Sequence, residues 1–146
     1  MPVERKHIMV LALARAQDQG LSPIQLQKSL FLVARSGLDG IPDPFYSFQP
    51  YNYGPFDSAV YRDVSQLIEE GLVHDTRPPG QGWPQFTITS RGSSYVDEVK
   101  SQVSQSLSSH IEAVVDWVEP LSFTALLRAI YAAFPEYREN SVFQDC

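Results

Sequence analysis

The residues that could do chemistry are few. Three histidines, His7, His74 and His110, are the first candidates for metal or proton chemistry. They fall on three separate expected elements, none at metal-ligand spacing and none inside an HExxH pattern, so a metal centre is not expected. His7, in the first turns of a helix, reads as a surface or half-buried side chain. The single cysteine is the last residue, Cys146, which excludes an intrachain disulfide and a multi-cysteine metal site. As a nucleophile it would have no following scaffold to hold it. No GxSxG elbow frames a serine, and neither GxGxxG nor GxxxxGKS/T occurs, so the familiar phosphate-cradling loops are missing. Glu69-Glu70 and Asp97-Glu98 are adjacent pairs whose side chains leave a helix in different directions, and they read as solvated faces rather than acid–base pairs. The expectation is a chain that is not an enzyme, with no cofactor and no metal.

Recognition is the remaining chemistry, and two surfaces compete for it. The first is a nucleic-acid surface built from Arg62 and Gln66, one helical turn apart, with Arg77 beyond them on a loop. Such a surface neutralises phosphates with several lysines or arginines. From Asp57 to Arg77 the chain instead holds five acidic and two basic side chains, a local balance of −3. The whole chain carries −6, which also disfavours a polyanionic partner. Residues 1–36 carry +3 and the rest −9, so any nucleic-acid contact would sit at the basic first section.

The second surface is aromatic. Phe45, Tyr46, Phe48, Tyr51, Tyr53, Phe56 and Tyr61 place seven of the 17 aromatic residues within 17 positions. Rings of this kind fill cores and also form binding hot spots. Phe48, Phe56 and Tyr61 have an ordinary role open to them, locking a loop onto helices. Pro50, Gly54 and Pro55 break the segment, which should leave several rings exposed. Tyr51 and Tyr53 flank Asn52 and would share one face of an extended stretch.

The elements that must position these groups follow from composition and period. With 146 residues, 43% hydrophobic and 19% charged, the chain is long and apolar enough for a single core and too poor in charge for disorder. No apolar run reaches the ~20 residues that span a bilayer, and one near-absent cysteine type fits a reducing cytoplasm. Arg5-Lys6 followed by the apolar run Ile8–Ala14 has the outline of a signal peptide. Arg15 closes that run at once, and a soluble helix over 3–18 explains it better: Met9, Ala12, Leu13 and Ala16 form one stripe, with Ile8 and Leu11 off it. Ser22-Pro23-Ile24-Gln25 is a capped start for a second helix, ending near Arg35 before Gly37. Residues 38–56 lack helical period, with Phe45–Phe48 a strand candidate. A third helix spans about 57–70 with Val60, Val64, Leu67 and Ile68 inward. Residues 72–76 and 85–89 read as a hairpin around Arg77–Pro84. Ser90 can cap a helix to about Ser108; 109–119 continue as helix to Pro120. Ser122 caps a last helix to Phe134 with Phe123, Leu126, Leu127, Ile130 and Tyr131 inward.

Helix, helix, strand, helix, hairpin is the order of a winged helix-turn-helix. The expected fold is therefore mainly α (α+β), with a small β-hairpin wing: a core over 1–90 and a helical C-terminal extension over 91–146 packed on the same domain.

Four segments in order, Leu26-Gln27-Lys28-Ser29-Leu30-Phe31-Leu32, Tyr53-Gly54-Pro55-Phe56, Val60-Tyr61-Arg62-Asp63 and Leu67–Val73, resemble the Panacea (SocA-like) antitoxin-domain family and its bacterial and phage relatives. The resemblance covers about residues 5–90, and Phe134-Pro135-Glu136-Tyr137 with Asn140-Ser141 matches a C-terminal pattern of its longer members. Ser29 stands where a leucine is usual, and the aromatic Phe45–Tyr53 stretch is extended. The resemblance implies a cytoplasmic, non-enzymatic module that neutralises or regulates a protein partner, often a toxin, by binding it. The candidate partner-binding residues are Lys28, Tyr51, Tyr53, Phe56, Tyr61 and Arg62, which would cover a functional surface on the partner. The acidic remainder would complement a basic, nucleic-acid-binding toxin. A winged-helix DNA-binding regulator using Arg62, Gln66 and Arg77 is the alternative. No membrane contact is expected, and a homodimer is left open.

Overall fold

The computed structural model describes residues 3–142; Cys146 lies outside them. Those residues are mainly helical, with two small antiparallel sheets. The first helix, α1 (Arg5–Ala16), is the hub. Its residues His7 through Leu13 are all buried, because α5 (Gln105–Val118), α4 (Ser90–Lys100), α2 (Pro23–Ala34) and α3 (Ala59–Glu69) pack around it. The apolar residues lying off the expected stripe, Ile8 and Leu11, are thus accounted for by burial on several sides. His7 is buried as well, against the half-surface expectation. Its Nδ1 accepts from the Glu4 amide (2.8 Å) at the helix start, its ring lies against Tyr95, and burial lowers its pKa.

The Ser22 capping box forms as the sequence dictates. The Gln25 amide donates to Ser22 Oγ (3.2 Å), and the Ser22 amide donates to Gln25 Oε1 (2.9 Å). The turn before it is held to the distal hairpin, β3 (Val73–Thr76) paired with β4 (Gln85–Ile88), by reciprocal Leu21–Phe86 backbone hydrogen bonds of 3.0 and 2.9 Å. Only glycine fits at Gly20. Its φ is +67°, and a Cβ there would stand 2.3 Å from the Phe86 carbonyl oxygen.

Four further expectations change. Phe45–Phe48 is not a strand: its backbone is engaged by side chains instead, with the Ser47 amide donating to Asp57 Oδ2 (2.7 Å), Arg5 Nη1 to the Phe45 carbonyl (3.2 Å) and Tyr137 Oη to the Phe48 carbonyl (3.4 Å). Pairing starts only at β1 (Gln49–Tyr51), which meets β2 (Gly54–Phe56). The long helix expected from Ser90 is two helices. Ser101 turns back onto Glu98, its Oγ donating to that carbonyl (2.6 Å), and Ser104 caps α5 through the Leu107 amide (3.2 Å). Thr89, not Ser90, caps α4, accepting from the Gly92 amide (2.9 Å). The last helix, α6 (Phe123–Ala133), starts at Ser122 as expected, accepting from the Ala125 amide (3.1 Å), and buries Leu126, Leu127, Ile130 and Tyr131. Phe123 is the exception: it is exposed. No helix among the described residues is long and apolar enough to cross a membrane.

Candidate partner-binding site

The segments that carry the family resemblance lie far apart in sequence, and the fold brings several of them to one place, the β1–β2 hairpin. From below, α2 supplies two adjacent polar side chains, both completely buried or nearly so. Gln27 clips the hairpin's end with two hydrogen bonds to one residue: its Nε2 donates to the Asp57 carbonyl (2.9 Å), and its Oε1 accepts from the Asp57 amide (3.1 Å). Asp57 in turn starts α3, its Oδ1 accepting from the Ala59 amide (2.9 Å). Lys28 runs under β2, and its Nζ donates to the Pro55 carbonyl (3.0 Å). The Lys28 stem lies near Gly54, where Tyr131 and Leu127 of α6 also close in.

Lys28 was expected at the partner surface, and the structure corrects this: 2% of it is exposed. A lysine can serve a backbone carbonyl from inside because its long apolar stem packs while its ammonium donates. Burial, with no carboxylate among the described residues to answer it, pushes the Lys28 pKa down to about 7.

From the side, the C-terminal segment straps the same hairpin. Asn140 Nδ2 donates to the Pro50 carbonyl (3.2 Å), Ser141 Oγ donates to the Asn52 carbonyl (3.2 Å), and the Val142 amide donates to that carbonyl as well (2.9 Å). Tyr131 Oη donates to Ser141 Oγ (2.6 Å), fixing the strap to α6. The hairpin is short, but its backbone is held along both strands and, at the Asn52 carbonyl, into the turn.

The tip turns at Asn52-Tyr53. Tyr51 pairs with Gly54, whose φ of +89° supplies the left-handed residue that closes such a turn. The two tyrosines therefore do not share a face. Tyr51 stacks on Phe56 (centroids 4.8 Å apart), and Phe56 meets Tyr61 of α3 edge-on (5.6 Å), so these three form one row. Arg62 and Gln66 lie beside Tyr61 on the exposed face of α3, with Glu69 among them. Phe56 and Tyr61 are half-buried, and burial raises the Tyr61 pKa. Arg77 does not join this face; its Nη1 donates to the Gly82 carbonyl within its own loop (3.1 Å).

Tyr53 turns the other way. It meets Phe123 edge-on (5.4 Å) at the margin of a groove of about 840 Å³ between the α2 start, the β3–β4 loop and the α6 start. Trp83, from that loop, lines the same groove. Tyr53, Trp83 and Phe123 are 44%, 53% and 45% exposed. Sequence reasoning missed Trp83 and Phe123. Trp83 sat in a loop read only for its turn formers, and the period of α6 placed Phe123 on the inward stripe. Its position as the first residue of the helix, where no preceding turn packs over it, was the available signal.

At the base of this region Asp63 of α3 accepts from Tyr46 Oη (2.5 Å) and from Arg5 Nη2 (3.3 Å), while the Arg5 guanidinium lies over the Tyr46 ring (4.5 Å). Burial and the Asp63 hydrogen bond hold the Tyr46 phenol well above its usual range. Among the described residues no cluster of His, Cys, Asp or Glu could hold a metal ion. In comparison with known proteins, no family model and no curated protein matches the chain.

Proposed function

We propose that this chain is a non-enzymatic, antitoxin-like or regulatory module of winged-helix type, which binds a partner protein through the β1–β2 hairpin and the surfaces on its two sides. The observation that carries the reading is the contrast within the hairpin. Gln27, Lys28, Asn140 and Ser141 hold its backbone, while its tip presents Tyr51 and Tyr53, 51% and 44% exposed. Large rings on a pre-ordered backbone lose little entropy on binding, which is the chemistry of an interface anchor. The helix–helix–hairpin–helix–hairpin order supports the winged-helix assignment, with β3–β4 as the wing. The family resemblance of the sequence supports the antitoxin-like one. The occlusion mechanism follows: aromatic anchors seat the module over a working surface of the partner.

Affinity capture from the native host tests this, using the full chain and the variant Tyr51→Ala/Tyr53→Ala. A stoichiometric, nuclease-resistant protein that is captured by the parent and lost by the variant bears the proposal out. Capture of nucleic acid alone, released by nuclease or modest salt, overturns it in favour of a DNA-binding regulator. In that case Arg62→Ala/Gln66→Ala removes the binding.

A further inference from the structure

The groove beside Tyr53 has a chemical character of its own. Among the described residues that line it, the aromatic members are Tyr53, Trp83 and Phe123, the one carboxylate is Asp18, and there is no lysine, arginine or histidine. The polar lining is largely committed within the fold. Gln85 Nε2 donates to the Gln19 carbonyl (3.0 Å), Gln81 Nε2 donates to the Trp83 carbonyl (2.9 Å), and Gln25 Oε1 accepts the Ser22 amide. The first turns of α2 and α6 also border the groove, and such ends favour anions. Both are capped, by Ser22 and Ser122, and Asp18 lines the same wall. Aromatic faces are electron-rich and attract guanidinium or ammonium groups, Trp most strongly. The chain uses this attraction internally, with Arg5 over Tyr46 and Arg35 over Phe134 at 4.5 and 5.1 Å.

We infer that this groove receives an extended segment of the partner protein bearing an arginine or lysine among apolar residues, with the cation against the Tyr53 and Trp83 rings and Asp18 as its counter-charge. Charge complementarity carries the choice of occupant: an aromatic groove with one carboxylate and no cation, on a chain of net charge −6, selects a basic segment over a neutral or acidic one. At about 840 Å³ the groove is within the volume range of binding clefts. The inference rests on the partner-binding reading and specifies its chemistry.

Trp83 makes the test direct. The chain has two tryptophans, so Trp117→Phe leaves Trp83 as the only one, and its fluorescence reports groove occupancy. The probes are three short blocked peptides identical but for one central residue: arginine, its neutral isostere citrulline, or glutamate. The arginine peptide is expected to give a saturable change about tenfold tighter than the citrulline peptide. Asp18→Asn and Tyr53→Ala should each reduce that preference, with urea unfolding confirming that both variants stay folded. Equal binding of the three peptides, preference for glutamate, or no saturable change overturns the inference. Host capture separates the two levels: a partner lost with Tyr51→Ala/Tyr53→Ala but indifferent to arginine leaves the partner-binding proposal standing and removes only the basic-segment specificity.

Discussion

Replacing Lys28 by methionine removes a buried ammonium while keeping the length and packing of the side chain. Burial takes the pKa of this lysine from its ordinary 10.5 to about 7. At 1.36 kcal/mol per pH unit, keeping an ionisable lysine there costs about 4 kcal/mol at neutral pH. The substitution also strands the Pro55 carbonyl, whose one partner from below is Lys28 Nζ at 3.0 Å, at a cost of about 1–3 kcal/mol. The net expectation for Lys28→Met is a gain of about 1–3 kcal/mol near pH 7. The pH dependence is the sharper readout. Between about pH 7 and pH 10 the unfolded chain holds the Lys28 proton and the folded chain does not. The parent's stability therefore rises with pH across that window, by about 1.4 kcal/mol per pH unit at most. The variant lacks this slope. Urea unfolding followed by far-UV circular dichroism at about pH 7.5 and about pH 9.5 should show the parent gaining roughly 2–3 kcal/mol on the variant. Raised tyrosines such as Tyr46 and Tyr61 are common to both proteins and cancel in the difference. Parallel pH profiles would refute the reasoning, because they require Lys28 to stay charged in the folded state.

Gln27→Ala should destabilise the chain by about 2–4 kcal/mol, since it leaves both the Asp57 amide and carbonyl without their buried partners; the midpoint of urea unfolding checks this. Gly20→Ala should cost at least about 2 kcal/mol, because a Cβ collides with the Phe86 carbonyl and the residue sits at positive φ, and a drop in Tm of several degrees would record it. Tyr51→Ala removes a ring that is half exposed and, among the described residues, stacked on Phe56. It should cost no more than about 1.5 kcal/mol while still abolishing partner capture, so a variant that fails to fold would assign Tyr51 to the core instead.

What the sequence made legible was local. The Ser22–Gln25 capping box, the α3 stripe of Val60, Val64 and Leu67, and the β3–β4 hairpin are each written within a few consecutive residues, as a cap, a period of 3.6 and an alternation bounded by turn formers. What escaped was long-range. Lys28 looked like a surface residue because charge type is a good guide to exposure and gives no account of a carbonyl 27 residues away. Phe45–Phe48 has the composition of a strand, yet composition cannot tell whether a neighbouring strand or a set of side chains will meet its backbone. The break at Ser101–Ser104 was the missed local signal. Serines that compete for helix carbonyls and then cap the next helix were present in the sequence, and the run of polar residues was read as one continuous element.

The arrangement around the hairpin bears on why partner binding rather than chemistry is the reading we favour. Several groups with chemical capacity near it are turned inward onto the chain itself: Lys28 and Gln27 to the backbone of Pro55 and Asp57, Asp63 to Arg5 and Tyr46, Asn140 and Ser141 to Pro50 and Asn52. Each of these bonds restricts a short two-stranded ribbon that would be only marginally stable alone. The large rings that face outward around it are Tyr51, Tyr53, Trp83 and Phe123, which offer area and ring faces rather than proton transfer. A held backbone with exposed rings lowers the ordering cost of association, and so raises affinity without any further contact. Loosening the strap through Asn140→Ala/Ser141→Ala should accordingly weaken capture of the partner although neither residue belongs to the proposed contact surface. Undiminished capture by that variant would show that the hairpin's rigidity contributes nothing to recognition.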